Sequence, residues 1–378
     1  MNILMISGDK KIMNEKSSVY ERMKAYASMC DELHIVVLTN SGGEDRVEGN
    51  LFLYPASGNK IMQRFSAMRK ARAITKSRTI TVITVQSPDE LGFIAYTAAR
   101  LSRIPLQIQV HTDIMSPWYR SAGIVPRIKY MFARFLLRRA RCIRVVSRRI
   151  AQSVISDLGV SKSLVTILPV FTDIHTLQNG GQHLPVIQDT QIQNSACAII
   201  TAGRFVEREK NISMLIRAMK NVVHACPTAV LMIVGEGPDE EYYKSLIIRL
   251  NLSNSVFLKS WQHDLMSLYQ SFDLFALPSY IEGWGMAVIE AMAAGLAVVM
   301  TDVGVARDIV HDRVNGIVVP VNNESALTEA LIHLCKDADT RHTYVRAGKE
   351  AVEHLAPRTR EEYLIQWRKS FDCCTTVS

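Results

Sequence analysis

The sequence predicts an α/β chain of two doubly wound domains, and three features carry that prediction. Apolar runs with strand character alternate with helical patterns; the alternation stops in a polar stretch near the middle; it then restarts. The chain has 378 residues, more than one ordinary core fills and enough for two domains of roughly 170 to 200 residues.

In the first half the strand runs are "NILMIS", "LHIVVL", "ITVITV", "LQIQVH", "CIRVVS" and "LVTILP". Stretches between them, as from Tyr20 to Cys30 and from Leu91 to Leu101, are long enough for helices. The pattern ends in "PVFTDIHTLQNGGQHLPVIQDTQIQNS", which is polar, rich in Gly, Pro and Gln, and reads as a linker. The second half offers "ACAIITAG", "AVLMIVGEG", "SVFLK", "DLFALPS", "LAVVMTD" and "NGIVVPV". The last segment, "REEYLIQWRKSFDCC", has helical spacing through Tyr363, Leu364, Trp367 and Phe371. It closes the second domain or crosses back onto the first. The expected division is residues 1–175, a linker over 176–195, a second domain over 196–355 and a C-terminal helix over 356–378. Ligands of such sheets bind beyond the carboxyl ends of the strands, so the loops there hold the candidate site.

Composition narrows the class. Apolar residues make up 48% and charged residues 21%, which fits a globular protein and not a disordered one. No window of roughly 18 apolar residues predicts a spanning helix. The start, "MNILMISGDKK", puts its apolar residues before its lysines, the reverse of a secretory signal. The seven cysteines lack metal-ligand spacing, and their odd number suggests reduced thiols in a cytoplasmic protein, with Cys373 and Cys374 in a solvated tail. No metal site is expected. A net charge of +8 favours an anionic partner, be it phosphate, lipid or nucleic acid.

The second half carries the chemistry. In "AIITAGRFVEREKNISMLIRAM" a strand ends at Gly203, Arg204 follows, and Lys210 precedes Asn211, a good N-cap for the next helix. Two cations beside free helix amides suit a diphosphate; the plainer reading is solvated loop charge. In "PSYIEGWGMAVIEAMAAG" the loop after another buried strand holds Glu282, and Glu290 falls about one turn inside the helix that follows. Backbone amides from Trp284 to Ala287 stand at that helix start, and the flanking glycines permit close approach of a ligand. Eight helical residues span about 12 Å, too far for the roughly 5 to 9.5 Å of a glycosidase acid pair. Two carboxylates gripping different hydroxyls of one long ligand fit better; an ordinary exposed helix residue at Glu290 is the bland alternative.

These residues carry a resemblance. "EGWGMAVIE" resembles the E-x7-E motif of the family 4 glycosyltransferases, retaining enzymes of GT-B fold that use nucleotide-sugar donors. "AGRFVEREKNISMLIRAM" is similar to their G-R-x5-K segment, and the likeness is specific from about residue 199 to 320. The resemblance implies that Gly203, Arg204 and Lys210 hold the donor diphosphate and that Glu290 accepts from the ribose hydroxyls. It implies that Glu282, with the loop Gly283, Trp284, Gly285, Met286 and Ala287, holds the transferred sugar. The donor would be a UDP-, GDP- or ADP-sugar bound without metal or other cofactor, and the acceptor a glycan or a lipid-linked molecule.

In the first half, His111 and Asp113 end the strand "LQIQVH", and similar family members place a histidine here near the reaction centre. By itself a strand-end histidine also reads as structural. Where the family has a Gly-Gly turn after its first strand, this chain has Gly8 alone, followed by Lys10, Lys11 and Lys16. Val305, Asp308 and Lys259 are further departures. From 126 to 149, nine Lys/Arg are packed among apolar residues; a helix packed on its sheet competes here with one meeting an anionic membrane at its inner face.

The expected function is retaining transfer of a sugar from a nucleotide diphosphate-sugar to a glycan or lipid-linked acceptor. The alternative is a degenerate, non-catalytic homologue that binds glycan or assists a partner. A nicotinamide-dependent oxidoreductase lacks its G-x-G-x-x-G where "SGDKKIM" stands, and no nucleic-acid motif accompanies the basic residues.

Overall fold

A computed structural model describes residues 1–40, 42–174, 192, 195–262, 264–355 and 357–375. Apart from Ile192 and Ser195, the expected linker over 176–195 lies outside the described residues. The chain divides into two compact units: Met1–Pro169 with Thr359–Ser378, and Val170–Arg358.

The first unit is built on eight strands: β1 Asn2–Ser7, β2 Glu32–Leu38, β3 Arg46–Glu48, β4 Leu51–Ala56, β5 Val82–Val85, β6 Leu106–Val110, β7 Cys142–Val145 and β8 Val165–Ile167. Their order is β3-β4-β2-β1-β5-β6-β7-β8. All neighbours are parallel except β3 with β4. The central strands are buried on both faces, which explains their continuous apolar runs. Strands β3 and β4 are additions to the expected list. Pro55 inside "LFLYPA" weakens the strand signal, and β3 is exposed throughout, so neither reads as a core strand from sequence.

The C-terminal helix Arg360–Lys369 belongs to this first unit. Trp367 is fully buried and lies face to face with Tyr26, ring centres 4.2 Å apart. The side-chain amide of Gln107 on β6 donates to the Ser370 carbonyl at 2.7 Å. Phe371, also fully buried, draws the next turn inward. The end of the chain is therefore not the solvated tail expected from sequence. Cys373 forms a disulfide with Cys142 at the start of β7, Cys374 is buried beside them, and the expectation of reduced thiols fails for that pair.

The second unit has six parallel strands: β9 Ala198–Ala202, β10 Val230–Val234, β11 Val256–Lys259, β12 Leu274–Leu277, β13 Ala297–Thr301 and β14 Ile317–Val319. They follow the order β11-β10-β9-β12-β13-β14. The sheet therefore winds outward in both directions from β9 and β12, and their carboxyl ends form the switch point where such sheets bind ligands. In the first unit the equivalent point lies between β1 and β5. Among the described residues, no helix is long and apolar enough to cross a membrane.

Candidate functional site

The loop after β9 is held by backbone bonds: Gly203 donates to the Val234 carbonyl at 3.0 Å and Phe205 to that of Glu236 at 2.8 Å. One helical turn, Glu207–Lys210, leads through Asn211, in left-handed conformation, into the helix Ile212–Ala225. The expected cap differs. Asn211 makes no side-chain cap; the Glu207 carboxylate instead accepts from the Ser213 amide at 3.1 Å and its hydroxyl at 2.5 Å. An acid of the chain itself thus occupies this helix start, so the free amides expected beside the two cations are not all on offer there.

The loop after β12 is stitched to the first. The amides of Tyr280 and Ile281 both donate to the Glu209 carbonyl, at 2.9 and 3.3 Å. The Thr301 hydroxyl at the end of β13 donates to the Ser279 carbonyl at 2.7 Å. These bonds bring Lys210 and Glu282 together. The ammonium is 2.5 Å from one carboxylate oxygen, and the Ser279 hydroxyl donates to the same oxygen at 2.9 Å. Both partners are largely buried, so the pair is screened little by solvent. Arg204 lies at the open side, 73% exposed, and reaches Glu209 at 2.9 Å. The Gly203 α-carbon packs on the Lys210 stem with room for a methyl group, so space alone does not demand glycine there.

Gly285 takes a left-handed φ of 97° and opens the helix Met286–Ala294. Among the described residues, none of the amides from Glu282 to Ala287 donates to a backbone carbonyl outside that helix, and amides at a helix start attract anions and hydroxyl oxygens. Trp284 is buried by its indole, so only its backbone is on offer to a ligand. Gly304, absent from the residues picked out above, supports this loop from below. A Cβ on it would stand 2.5 Å from the Trp284 carbonyl oxygen and 2.9 Å from Glu282 Cβ, at a φ of 53°. Its place in "TDVGVA" is the one signal the sequence gives. Ser279 was likewise missed, since a serine after a strand is too common to single out.

Glu290 is the fifth residue of that helix. Burial raises its pKa, and among the described residues its carboxylate has no ion-pair or hydrogen-bond partner. A desolvated, unpartnered acid two turns from the paired Glu282 is poised to accept from a ligand hydroxyl.

In the first unit, Gly8 follows β1 at an exposed turn, and Lys10, Lys11 and Lys16 are exposed around it. Asp113 is buried; burial raises its pKa, while Arg149 and the amides of Ser116 and Met115 lower it. It shapes its own loop more than it offers a carboxylate to solvent. His111 keeps an exposed side chain, with Nε2 3.3 Å from Gln109 Oε1 and 3.5 Å from Arg144 Nη2. The crowding of the ring, then the Arg144 and Arg22 guanidiniums, push its pKa down to about 3. Since the ring keeps an exposed face, the arginines make the firmer argument that it is neutral.

Two family models match the chain: "Glycosyl transferase 4-like domain" over residues 17–170 and "Glycosyl transferases group 1" over 187–351. The chain belongs to the family 4 glycosyltransferases. Its fold is GT-B. Among solved family structures, HepE of Anabaena in complex with UDP superposes with a TM-score of 0.72 at 18% identity, over 98% of each chain. Sucrose-phosphate synthase from Thermosynechococcus elongatus superposes at 0.75 with 19% identity, again over 98% of each. The poly(glycerol-phosphate) alpha-glucosyltransferase of Bacillus subtilis is 33% identical over 159 residues, 42% of this chain and 23% of that protein. The phosphatidyl-myo-inositol mannosyltransferase of Mycobacterium leprae is 32% identical over 159 residues, 41% of each. The chain thus spans less than half the length of these two family relatives in the matched region.

Proposed function

We propose that this family 4 chain transfers a sugar, with retention, from a nucleotide diphosphate-sugar to a glycan or lipid-linked acceptor. The observation that carries the reading is the largely buried contact between Lys210 and Glu282, on two stitched loops at the switch point of the second sheet. A cation fixed there stabilises the charge that develops on a departing diphosphate. Glu282 and the free amides after it accept and donate to the hydroxyls of the sugar, and Glu290 accepts from the ribose. Arg204, exposed beside them, closes on the diphosphate once the donor arrives. Two cations do the work that a metal ion does elsewhere, so the reaction needs no metal, and EDTA leaves turnover unchanged.

His111 stays neutral, and no protein nucleophile is needed if the departing phosphate oxygen takes the acceptor proton. UDP stands first among the donor bases, because solved relatives of this fold hold UDP or UDP-glucose. A thermal-shift panel of UDP-, GDP- and ADP-sugars tests the donor. The right one, at a hundred times its dissociation constant, stabilises the protein by about 2.7 kcal/mol. Turnover of that donor, reduced by about 10²- to 10³-fold in Glu282→Gln, tests the activity; binding with no transfer to any acceptor would return the chain to the degenerate reading.

The acceptor reading extends to a membrane surface. In the helix Ile124–Leu137 only Ala133, Leu136 and Leu137 are buried, while Ile124 and Met131 are 76% and 65% exposed among the exposed bases Arg127, Arg134, Arg138 and Arg139. Helices Lys60–Ser77 and Glu90–Ser102 pack beside it in turn, and the first turns of Lys60–Ser77 expose Ile61 and Phe65 by 77% and 79%. Exposed apolar side chains ringed by bases suit the interface of an anionic bilayer at its cytoplasmic face, each base contributing about 1 kcal/mol near the surface. Flotation with phosphatidylglycerol vesicles at low salt checks this, and protein that stays at the bottom of the gradient refutes it.

A further inference from the structure

The face of the first sheet under the C-terminal helix is polar where a core is expected to be apolar. Thr84 on β5, Gln107 and Gln109 on β6 and Arg144 on β7 are all buried, and all four project from that face. They form a chain of hydrogen bonds. Thr84 donates to Gln107 at 3.0 Å, Gln109 donates to Thr84 at 3.0 Å, and Arg144 Nη2 donates to Gln109 at 2.6 Å. Gln107 anchors the other end on Ser370. The chain ends at His111, the exposed residue just past β6.

Arg144 is the anomaly in it. It is only 4% exposed, no acid pairs with it among the described residues, and its Nε and Nη1 have no partner there. A buried guanidinium held by one neutral amide is a charge without compensation. The other groups facing this place do not supply one. Arg22, exposed on the helix Ser18–Ala27, acts on His111 in the same direction as Arg144. Tyr26 and Tyr363 bring hydroxyls that pair with each other at 3.1 Å, and burial raises the pKa of Tyr26. Asp113, two residues past His111, is under the influence of Arg149 and the amides of Ser116 and Met115, and its Oδ1 is buried without a hydrogen-bond partner, so it makes no bond to Arg144. Two cations and a neutral imidazole thus surround a place that lacks an anion.

We infer that Arg144 is the floor, and His111 and Arg22 the exposed rim, of an oxyanion site in the first unit that takes a phosphoryl or carboxylate group of the acceptor. The inference rests on the transferase reading only for calling the ligand an acceptor; the site itself follows from the uncompensated guanidinium. The unpartnered Nε and Nη1 of Arg144 lie on opposite edges of its planar fork, each edge shared with Nη2, so an oxyanion on either edge meets one unpartnered N–H beside the Nη2 that Gln109 holds. The imidazole, neutral when the site is empty, gains a proton when an anion neutralises the arginines beside it.

Inorganic phosphate and acetate are the probes, added to the full chain at constant ionic strength, with melting temperature and the His111 ring resonances as readouts. The expected result is saturable stabilisation together with a rise of the His111 pKa by one unit or more. Phosphate acting more strongly than acetate identifies a phosphoryl group, and the reverse a carboxylate. Arg144→Gln abolishes both responses, Arg144→Lys restores them in part, and Lys210→Ala, which alters the other unit's site, leaves them intact. If Arg144→Gln does not fold, Arg22→Gln at the exposed rim is expected to weaken phosphate binding at least threefold. Saturable binding lost in Lys210→Ala and kept in Arg144→Gln or Arg22→Gln would overturn the inference, as would a His111 resonance that ignores phosphate. None of these readouts needs turnover, so an inactive chain that still binds phosphate here refutes the transferase reading alone. With an active chain, phosphate competes against acceptor more strongly than against donor.

Discussion

The carboxyl edges of the two sheets handle charge in opposite ways. At the edge of the second sheet the two cations of the candidate site each have an acid: Lys210 sits on Glu282, and Arg204 reaches Glu209. At the edge of the first sheet Arg144 and Arg22 crowd a neutral histidine and no acid answers them among the described residues. A site that carries its own counter-charges is organised before its ligand arrives, and what it gains from the ligand is specificity of hydrogen bonding. A site short of a counter-charge is completed by the ligand. The difference teaches that, if the proposed function holds, the two edges have different ligands: one would hold a donor with groups already paired, the other would take an anion.

The comparison is most exposed to attack at Lys210. Lys210→Ala leaves the largely buried Glu282 without its ion-pair partner and, on the proposed function, removes a preorganised cation from the reacting phosphate. Transfer falls by about 10²- to 10³-fold, read as kcat with donor saturating, while melting shows a loss of about 1–3 kcal/mol for the orphaned acid. An unaltered kcat would show that the pair is merely structural. Glu282→Gln is expected to lose kcat to a similar degree with less loss of stability, because the amide still accepts from Ser279 and Lys210.

Glu290 sharpens the contrast, since it is the one acid of the second site without a partner. Its folded pKa is raised, so the folded state holds its proton more tightly than the unfolded chain does. Stability is therefore lost as pH rises from the ordinary value of 4.5 upward, and the penalty is absent below it. Glu290→Gln removes the penalty: at pH 7 the free protein gains about 1 kcal/mol or less, and the gain disappears near pH 4. Donor binding weakens by about ten- to a hundredfold, the cost of a hydrogen bond to a charged group. A variant that binds donor normally would return Glu290 to the bland reading.

His111 gives a subtler test. Its folded pKa lies below the ordinary 6.5, so as pH falls the unfolded chain takes the proton first. Stability from this group is whole above 6.5 and declines as pH drops through 6.5 towards about 3. Ring resonances of His111 should stay in the neutral form from pH 8 down to 5, and Arg144→Gln should move its titration up towards the ordinary range. Titration of the wild-type ring near 6.5 would dissolve the contrast between the two edges. The smallest effect is expected at Arg204. Its exposed contact with Glu209 contributes about 0–1 kcal/mol, so Arg204→Ala melts almost as the parent does, yet raises the donor KM.

How much of this could be read beforehand depended on the reach of each interaction. Strands buried on both faces announce themselves as apolar runs, and the six of the second unit were legible, as were the start and end of the helix Met286–Ala294, set by Gly285 and Gly295. Strand β4 was missed because Pro55 interrupts its signal, and β3 because nothing in it is buried. Lys210, Glu282 and Glu290 were legible as a spacing. Their pairing was not: Lys210 chooses Glu282 because the Glu209 carbonyl draws in two amides from the other loop, a bond between residues far apart in sequence. Gly304 was illegible for the same reason, since the crowding that demands glycine comes from Trp284 and Glu282.

The end of the chain shows the division most plainly. Sequence alone determined the alternation, the two halves and the acid and base spacings, because periodicity and turn chemistry are local and each residue carries its own share. Which sheet the last helix covers, that Cys373 meets Cys142, and that Arg144 is buried without an acid were decided only on folding. Burial and charge compensation are properties of what surrounds a group: for Cys373 and the last helix the surroundings come from segments more than two hundred positions away, and for Arg144 from a neighbouring strand.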